Sequence, residues 1–232
     1  MIKGAIFDID GTLYDYHAND KIAMKKLCDF VKEKFGIEEE EFMEIYGRAR
    51  SIVKMRLTEG ASQHNRILFC QTALELIGQN PFIYAIDMYD IYWNTFLSEI
   101  KPFDGAIEFV RELKASGIKT AVCTDMTAHI QFRKLKKLGF AELIDYIVTS
   151  EETGLEKPSP AMFNLALNKL EISPSNAAYF GDSPDRDIKG ALDAGIQAFW
   201  YCGEHLDEDI NLDCVKVRSY RDILDSEIFF IA

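Results

Sequence analysis

The sequence predicts an α/β fold: a parallel sheet with crossover helices, interrupted after its first strand by an all-helical insert. Three observations predict it. Short apolar runs of strand length recur at 2–9, 119–125, 145–150, 176–182 and 197–203. From residue 101 onward these runs alternate with helical patterns, as βαβ units require. Between about 17 and 100 the alternation stops, and one helical pattern follows another.

The first run, IKGAIFDI, is too short for a helix and reads as a buried strand. The insert follows, with helical patterns over 17–36, 38–57, 63–78 and a segment through 84–97. The cluster EEEE at 38–41 favours a helix N-terminus, where the backbone dipole welcomes negative charge. KPFDG at 101–105 is the expected return to the sheet domain. In the next stretch Ile107, Val110 and Leu113 keep helical spacing, and Gly117 stops the helix. Segments 126–139 and 159–172 read the same way, with Pro160 suited to a helix start. The expected domains are therefore a core of 1–16 and 101–232 and a helical cap of 17–100.

Composition narrows the function. The 232 residues include 26 basic and 38 acidic side chains, a net charge of −12. With no basic stripe to offset that total, a nucleic acid polymer is not an expected partner. At 48% hydrophobic residues the chain can bury a core, so disorder is excluded. No run approaches the roughly 18 apolar residues of a membrane span. The start MIKGAIFDID is not a secretory signal. Cys28, Cys70, Cys123, Cys202 and Cys214 are odd in number and form no C-x-x-C, so neither a disulfide framework nor a zinc site is expected. They read as small buried hydrophobes, and reduced thiols fit a cytoplasmic protein.

Open parallel sheets place their sites beyond the carboxyl ends of the strands. Here the first strand ends in Asp8-Ile9-Asp10-Gly11-Thr12, the second in Thr124-Asp125, and the fourth in Gly181-Asp182-Ser183 with Asp185 and Asp187 following. Lys157-Pro158 lies after the third. Four distant segments thus deliver carboxylates, a hydroxyl and an ammonium to one edge. That set suits phosphoryl transfer. Two acids at i and i+2 on an extended strand point the same way; one could attack phosphorus and the other could pass protons. Anion attacking anion needs compensation. Mg²⁺ prefers hard oxygen ligands, which Asp8 and Asp182 could supply. Lys157 adds fixed positive charge, Thr124 a hydroxyl donor, and Gly11 lets backbone N–H groups approach a phosphate. Neither a calcium-binding EF-hand loop nor a dinucleotide fingerprint fits the same residues.

D-x-D-G-T after an apolar strand, a Thr ending the next strand, a downstream Lys-Pro and G-D-S-x-x-x-D resemble the four motifs of the haloacid dehalogenase superfamily. D-x-D-G-T alone arises by chance about once in 10⁵ positions at average composition. The resemblance implies a Rossmann-like parallel sheet with an inserted all-α cap. It implies Asp8 as nucleophile and metal ligand, and Asp10 as general acid/base that binds the metal through its carbonyl. Thr124 and Lys157 would hold the phosphoryl group, with Gly11, Thr12 and Asp125 completing the substrate-binding set. Asp182 would be a metal ligand, and Asp187 would support the metal shell or orient Lys157. Asp125 alone has two readings, shaping its loop by bonding backbone or touching substrate. Asp185 has no motif partner and reads as surface.

In the cap, Tyr14 and Tyr16 either pack between core and cap or gate the site. Arg48, Arg50, Arg56, His64, Asn65 and Arg66 read as the solvated face of amphipathic helices. GASQHNR at 60–66 is a polar patch able to face the cleft. The expected activity is a Mg²⁺-dependent phosphatase acting on a small phosphorylated metabolite, a sugar phosphate or nucleotide monophosphate. A phosphomutase would use the same residues. A dehalogenase typically replaces the second acid, present here as Asp10. A phospho-acceptor module lacks D-x-D-G-T and a cap of this size.

Overall fold

A computed structural model of the chain describes residues 1–57, 60–203 and 211–226. β1 (Gly4–Phe7) leads into four helices: α1 (Tyr16–Phe35), α2 (Glu39–Arg56), α3 (Arg66–Leu76) and α4 (Pro81–Glu99). A 3₁₀ turn, Ala61–His64, precedes α3. The chain then runs through α5 (Ala106–Ala115), β2 (Lys119–Thr124), α6 (Ala128–Leu138), β3 (Tyr146–Thr149), α7 (Ser150–Thr153), α8 (Pro160–Leu170) and β4 (Ala177–Gly181). It ends with α9 (Lys189–Asp193), β5 (Gln197–Tyr201), β6 (Val215–Val217) and α10 (Tyr220–Ser226). A π-type turn, Pro184–Ile188, joins β4 to α9.

Local chemistry sets the helix ends. Glu39, Glu40 and Glu41 fill the first turn of α2. The side chains of Asn65 and Asn80 accept the N–H groups of Ile67 and Phe82, capping α3 and α4. Pro160 opens α8 behind the cap residue Ser159. β6 was not anticipated, because three residues carry too little alternation to show a period.

The six strands are parallel, in the order β3-β2-β1-β4-β5-β6. β1 pairs with β2 on one side and β4 on the other, with Gly4 opposite both Lys119 and Ala177. Successive side chains on a strand point to opposite faces, and both faces here are covered. Phe7, Val122, Phe180 and Phe199 join one buried cluster with α5 and the helical insert. Ile6, Ala121, Cys123, Tyr179 and Trp200 join the other, with α8 and α9. The rings of Phe7 and Phe180 stack at 4.9 Å, and those of Phe180 and Phe199 at 4.7 Å. In the insert, α1 packs on α4, α2 on α3, and α3 on α4. Phe96 of α4 meets Tyr14 edge-on at 6.0 Å, so the first cluster is continuous from sheet to insert. All five cysteines are free; four are buried, but Cys214 is half-buried, since it lies just before the edge strand β6. No described helix is long and apolar enough to cross a membrane.

Candidate active site

The strand order reverses direction at β1, and the crevice at such a point is where open α/β sheets bind ligands. Asp8 continues β1 by one residue, its N–H donating to the Phe180 carbonyl at 2.8 Å. Its carboxylate is thereby set between the ends of β2 and β4. The buried Lys157 reaches it from the loop after α7: Nζ lies 2.6 Å from Asp8 Oδ1 and 2.7 Å from Asp187 Oδ1. Tyr179 also donates to Asp187 Oδ1, at 2.8 Å, and the Ser183 N–H donates to Asp187 Oδ2 at 3.1 Å. Both Asp187 oxygens are thereby engaged, one of them by the Lys157 ammonium. Gly181 makes the arrangement fit, because a Cβ there would stand 2.4 Å from the Asp187 Cβ.

Asp182 follows β4. Thr12, fully buried, donates its hydroxyl to Asp182 Oδ1 at 3.2 Å and lines neither of the two cavities at these strand ends. Trp200 Nε1 donates to the Asp182 carbonyl at 2.9 Å. Gly11 has φ +85°, and a Cβ on it would lie 2.4 Å from Asp182 Oδ2. The motif's glycine thus serves a left-handed turn and the close approach of a carboxylate.

Carboxylate oxygens of Asp8, Asp182 and Asp187 can all lie within 4.8 Å of one another. Burial pushes the Asp8 carboxyl well up; Lys157 opposes this, and Asp187 and Asp182 reinforce it. Burial, with Asp187 beside it, pushes Asp182 up to about 6. One ammonium does not balance three crowded acids. The unmet demand is for further positive charge on hard oxygen donors, which a Mg²⁺-type ion fits.

Asp10 is held by Tyr14 and by two residues the sequence did not single out, Lys134 and Gln131. Lys134 of α6 is fully buried, with Nζ 2.7 Å from each Asp10 oxygen. Tyr14 donates a short hydrogen bond to Asp10 Oδ1, and Gln131 Nε2 lies 3.4 Å from Oδ2. Burial raises the Asp10 pKa, but Lys134, with the hydrogen bonds from Tyr14 and Gln131, outweighs it and keeps the carboxyl below its ordinary value. Tyr14 therefore both packs between core and insert and holds a carboxylate. Gln131 also donates to Thr124 Oγ1 at 2.8 Å, fixing that hydroxyl at the end of β2. Asp125 Oδ1 accepts the Lys157 N–H at 3.0 Å, so it shapes the loop that carries the lysine. Asp185 is exposed.

Asp8, Asp10, Thr124, Asp125, Lys157 and Asp182 line one cavity of about 300 Å³. A larger one of about 690 Å³ shares Gly11, Tyr16, His17 and Asp182 but excludes Asp8, Thr124 and Lys157, so the motif residues gather in the smaller. Tyr16 lines it too, and the insert contributes His17, Arg50, Lys54 and His64. Arg48 and Arg56 are exposed, as expected. Arg66 departs from expectation: it is buried, 2.7 Å from Asp20 Oδ1 and from Tyr16 Oη, with its guanidinium 3.9 Å from the Tyr92 ring centre. It ties α3 to α1 and α4 inside the insert. A signal for the missed polar pair did exist. Gln131, Lys134, Leu135 and Leu138 share one buried helical stripe, and a polar residue in such a stripe needs a partner.

A model of the haloacid dehalogenase-like hydrolases matches residues 2–195. Ribulose-1,5-bisphosphate 5-phosphatase of Halopiger xanaduensis is 35% identical, over 85% of this chain and 83% of that protein. Glyceraldehyde 3-phosphate phosphatase of Methanopyrus kandleri is 32% identical, over 84% of this chain and 82% of that protein. Among solved structures, a phosphatase of the same superfamily from Thermococcus onnurineus superposes with a TM-score of 0.75 at 21% identity, covering 98% of each chain. The family match and the two relatives, on a Rossmann-like core whose strand ends carry all four motifs, place this chain in the haloacid dehalogenase-like hydrolase family.

Proposed function

We propose that this hydrolase is a Mg²⁺-dependent phosphatase that cleaves a small phosphorylated sugar metabolite through an aspartyl-phosphate on Asp8, with residues 17–100 as its cap. The observation that carries the reading is Lys157 Nζ between Asp8 and Asp187 at 2.6 and 2.7 Å, at the end of β1, with Asp182 close by. Both relatives named above are phosphatases of small phosphorylated sugars, which supports the substrate class.

Asp8 and Asp182 would hold Mg²⁺, joined by the Asp10 carbonyl. Bound there, the ion supplies the positive charge that lets a carboxylate approach a phosphate dianion. Lys157 and the Thr124 hydroxyl orient the phosphoryl oxygens. An Asp8 oxygen bonds to phosphorus as the ester oxygen leaves and takes a proton from Asp10. Asp10 then takes a proton from water, whose oxygen attacks the same phosphorus. That step releases inorganic phosphate and restores Asp8. Lys134 favours the ionised form of Asp10, as the second half requires; giving a proton in the first half requires that grip to loosen. Closure of the cap over the cavity would exclude bulk water during attack.

The test is phosphate release from p-nitrophenyl phosphate with Mg²⁺. Asp8→Asn should lower turnover by at least about 10³-fold, as loss of a nucleophile does, while the thermal transition survives. Undiminished release by that variant, or full activity of the parent in excess chelator, would overturn the mechanism.

A further inference from the structure

The cavity over Asp8 is divided by charge. Its floor, from the sheet domain, carries four acids, Asp8, Asp10, Asp125 and Asp182, around Lys157, with Arg186 3.5 Å from Asp125 Oδ2. Its roof, from the helical insert, carries Arg50, Lys54, His64 and His17, and among the described residues contributes no acid. Arg50 and Lys54 stand four residues apart on α2, so they share one helix face. Like charges at that spacing repel unless an anion lies between or beside them. Neither forms an ion pair among the described residues. Elsewhere in the insert Lys25 pairs with Glu39, Lys32 with Glu38 and Arg66 with Asp20. His64 completes the roof where it meets the core: its Nε2 lies 3.0 Å from Glu156 Oε1, beside Lys157, yet neither atom has a hydrogen bond of sound geometry.

The floor's excess of carboxylates calls for a cation, which with Lys157 would then hold the transferable phosphoryl group. The roof's demand is the opposite. We infer that Arg50 and Lys54, with His64 beside them, form a second anion subsite, and that the substrate is a small molecule with two anionic groups, a sugar bisphosphate. A volume of about 300 Å³ is at the small end of ligand cavities, which fits a backbone of a few carbons. One phosphate would lie over Asp8 and be hydrolysed; the other would stay intact against the roof and anchor the substrate. The preference would appear in KM, because the remote phosphate is bound alike in ground and transition states. This inference rests on the phosphatase reading above and names its substrate class.

The experiment compares ribulose 1,5-bisphosphate with ribulose 5-phosphate in steady-state phosphate release with Mg²⁺, for the parent, R50Q/K54Q and the charge-retaining R50K/K54R. Both positions are exposed, and glutamine keeps much of each aliphatic stem, so folding should persist. The parent should prefer the bisphosphate by about tenfold or more in kcat/KM, one lost charge pair being worth roughly that factor. R50Q/K54Q should raise KM for the bisphosphate and collapse the preference by about tenfold, and R50K/K54R should retain it. Equal use of both substrates by the parent, or a preference that survives R50Q/K54Q, would overturn the second subsite and leave the phosphatase reading standing. Absence of phosphate release from these and from p-nitrophenyl phosphate would overturn both.

Discussion

Lys134→Met isolates the contact that the active site adds to its motif residues. The ammonium contacts both Asp10 oxygens at 2.7 Å and is fully buried, among the rings of Tyr14, Tyr16, Trp93 and Phe96 at 5.5–5.9 Å. Methionine fills most of the stem's volume but leaves Asp10 with only Tyr14 and Gln131. Removing one partner of a buried ion pair costs about 3–5 kcal/mol, because the other charge stays behind uncompensated. The Asp10 side chain is 21% exposed, so water relieves part of that cost and about 3 kcal/mol is the expected loss. For a chain of this size each kcal/mol lowers Tm by roughly 2–4 °C, giving a fall of roughly 6–12 °C. Calorimetry on K134M, D10N and D10N/K134M closes the cycle. In D10N the buried ammonium is the uncompensated charge, so the double variant should lose less than the sum of the single ones, by about 2–3 kcal/mol. Phosphate release should respond as well: freed from Lys134, Asp10 protonates at higher pH, and the acidic limb of kcat should move upward. Additive losses to within about 0.5 kcal/mol, with an unmoved pH profile, would show that the pair does not control Asp10.

Other consequences are equally measurable. Asp182 has a folded-state pKa of about 6, above the ordinary 3.8, so its contribution to stability without metal is present below that lower value and is lost as pH rises through about 6. In chelator, the Tm difference between parent and Asp182→Asn should therefore shift against the parent between pH 4 and pH 7, and Mg²⁺ should reverse the shift at pH 7; a pH-independent difference would contradict this. Gly181→Ala would force a Cβ within 2.4 Å of the Asp187 Cβ, a clash that should cost about 1–3 kcal/mol and misplace Lys157. An alanine variant with parental Tm and parental turnover would show that the close approach is not needed.

The sequence by itself determined whatever depends on local pattern and on residue type. Alternating short apolar runs and helical spacings are imposed by backbone geometry, so five of the six strands and the four helices of the insert were legible before any coordinates. Asp8, Asp10, Thr124, Lys157 and Asp182 were legible too, because a strand that ends in acids puts them at one sheet edge, and the structure brings all five to a single cavity. Only the tertiary structure decided what each side chain touches. Thr12 belongs to Asp182, Asp125 to the Lys157 backbone, and Asp187 to Lys157 and Tyr179. Lys134 sits among other basic residues of α6, indistinguishable by type from Arg133, Lys136 or Lys137. Its burial comes from the face α6 turns inward, and its partner Asp10 lies 124 positions away along the chain. Arg50 and Lys54 likewise look like ordinary solvated residues until the insert packs back over the sheet. Periodicity and motif spacing are short-range properties of a chain. The pairing of buried charges is set by which crossovers bring distant segments together, and desolvation makes that pairing decisive for the chemistry.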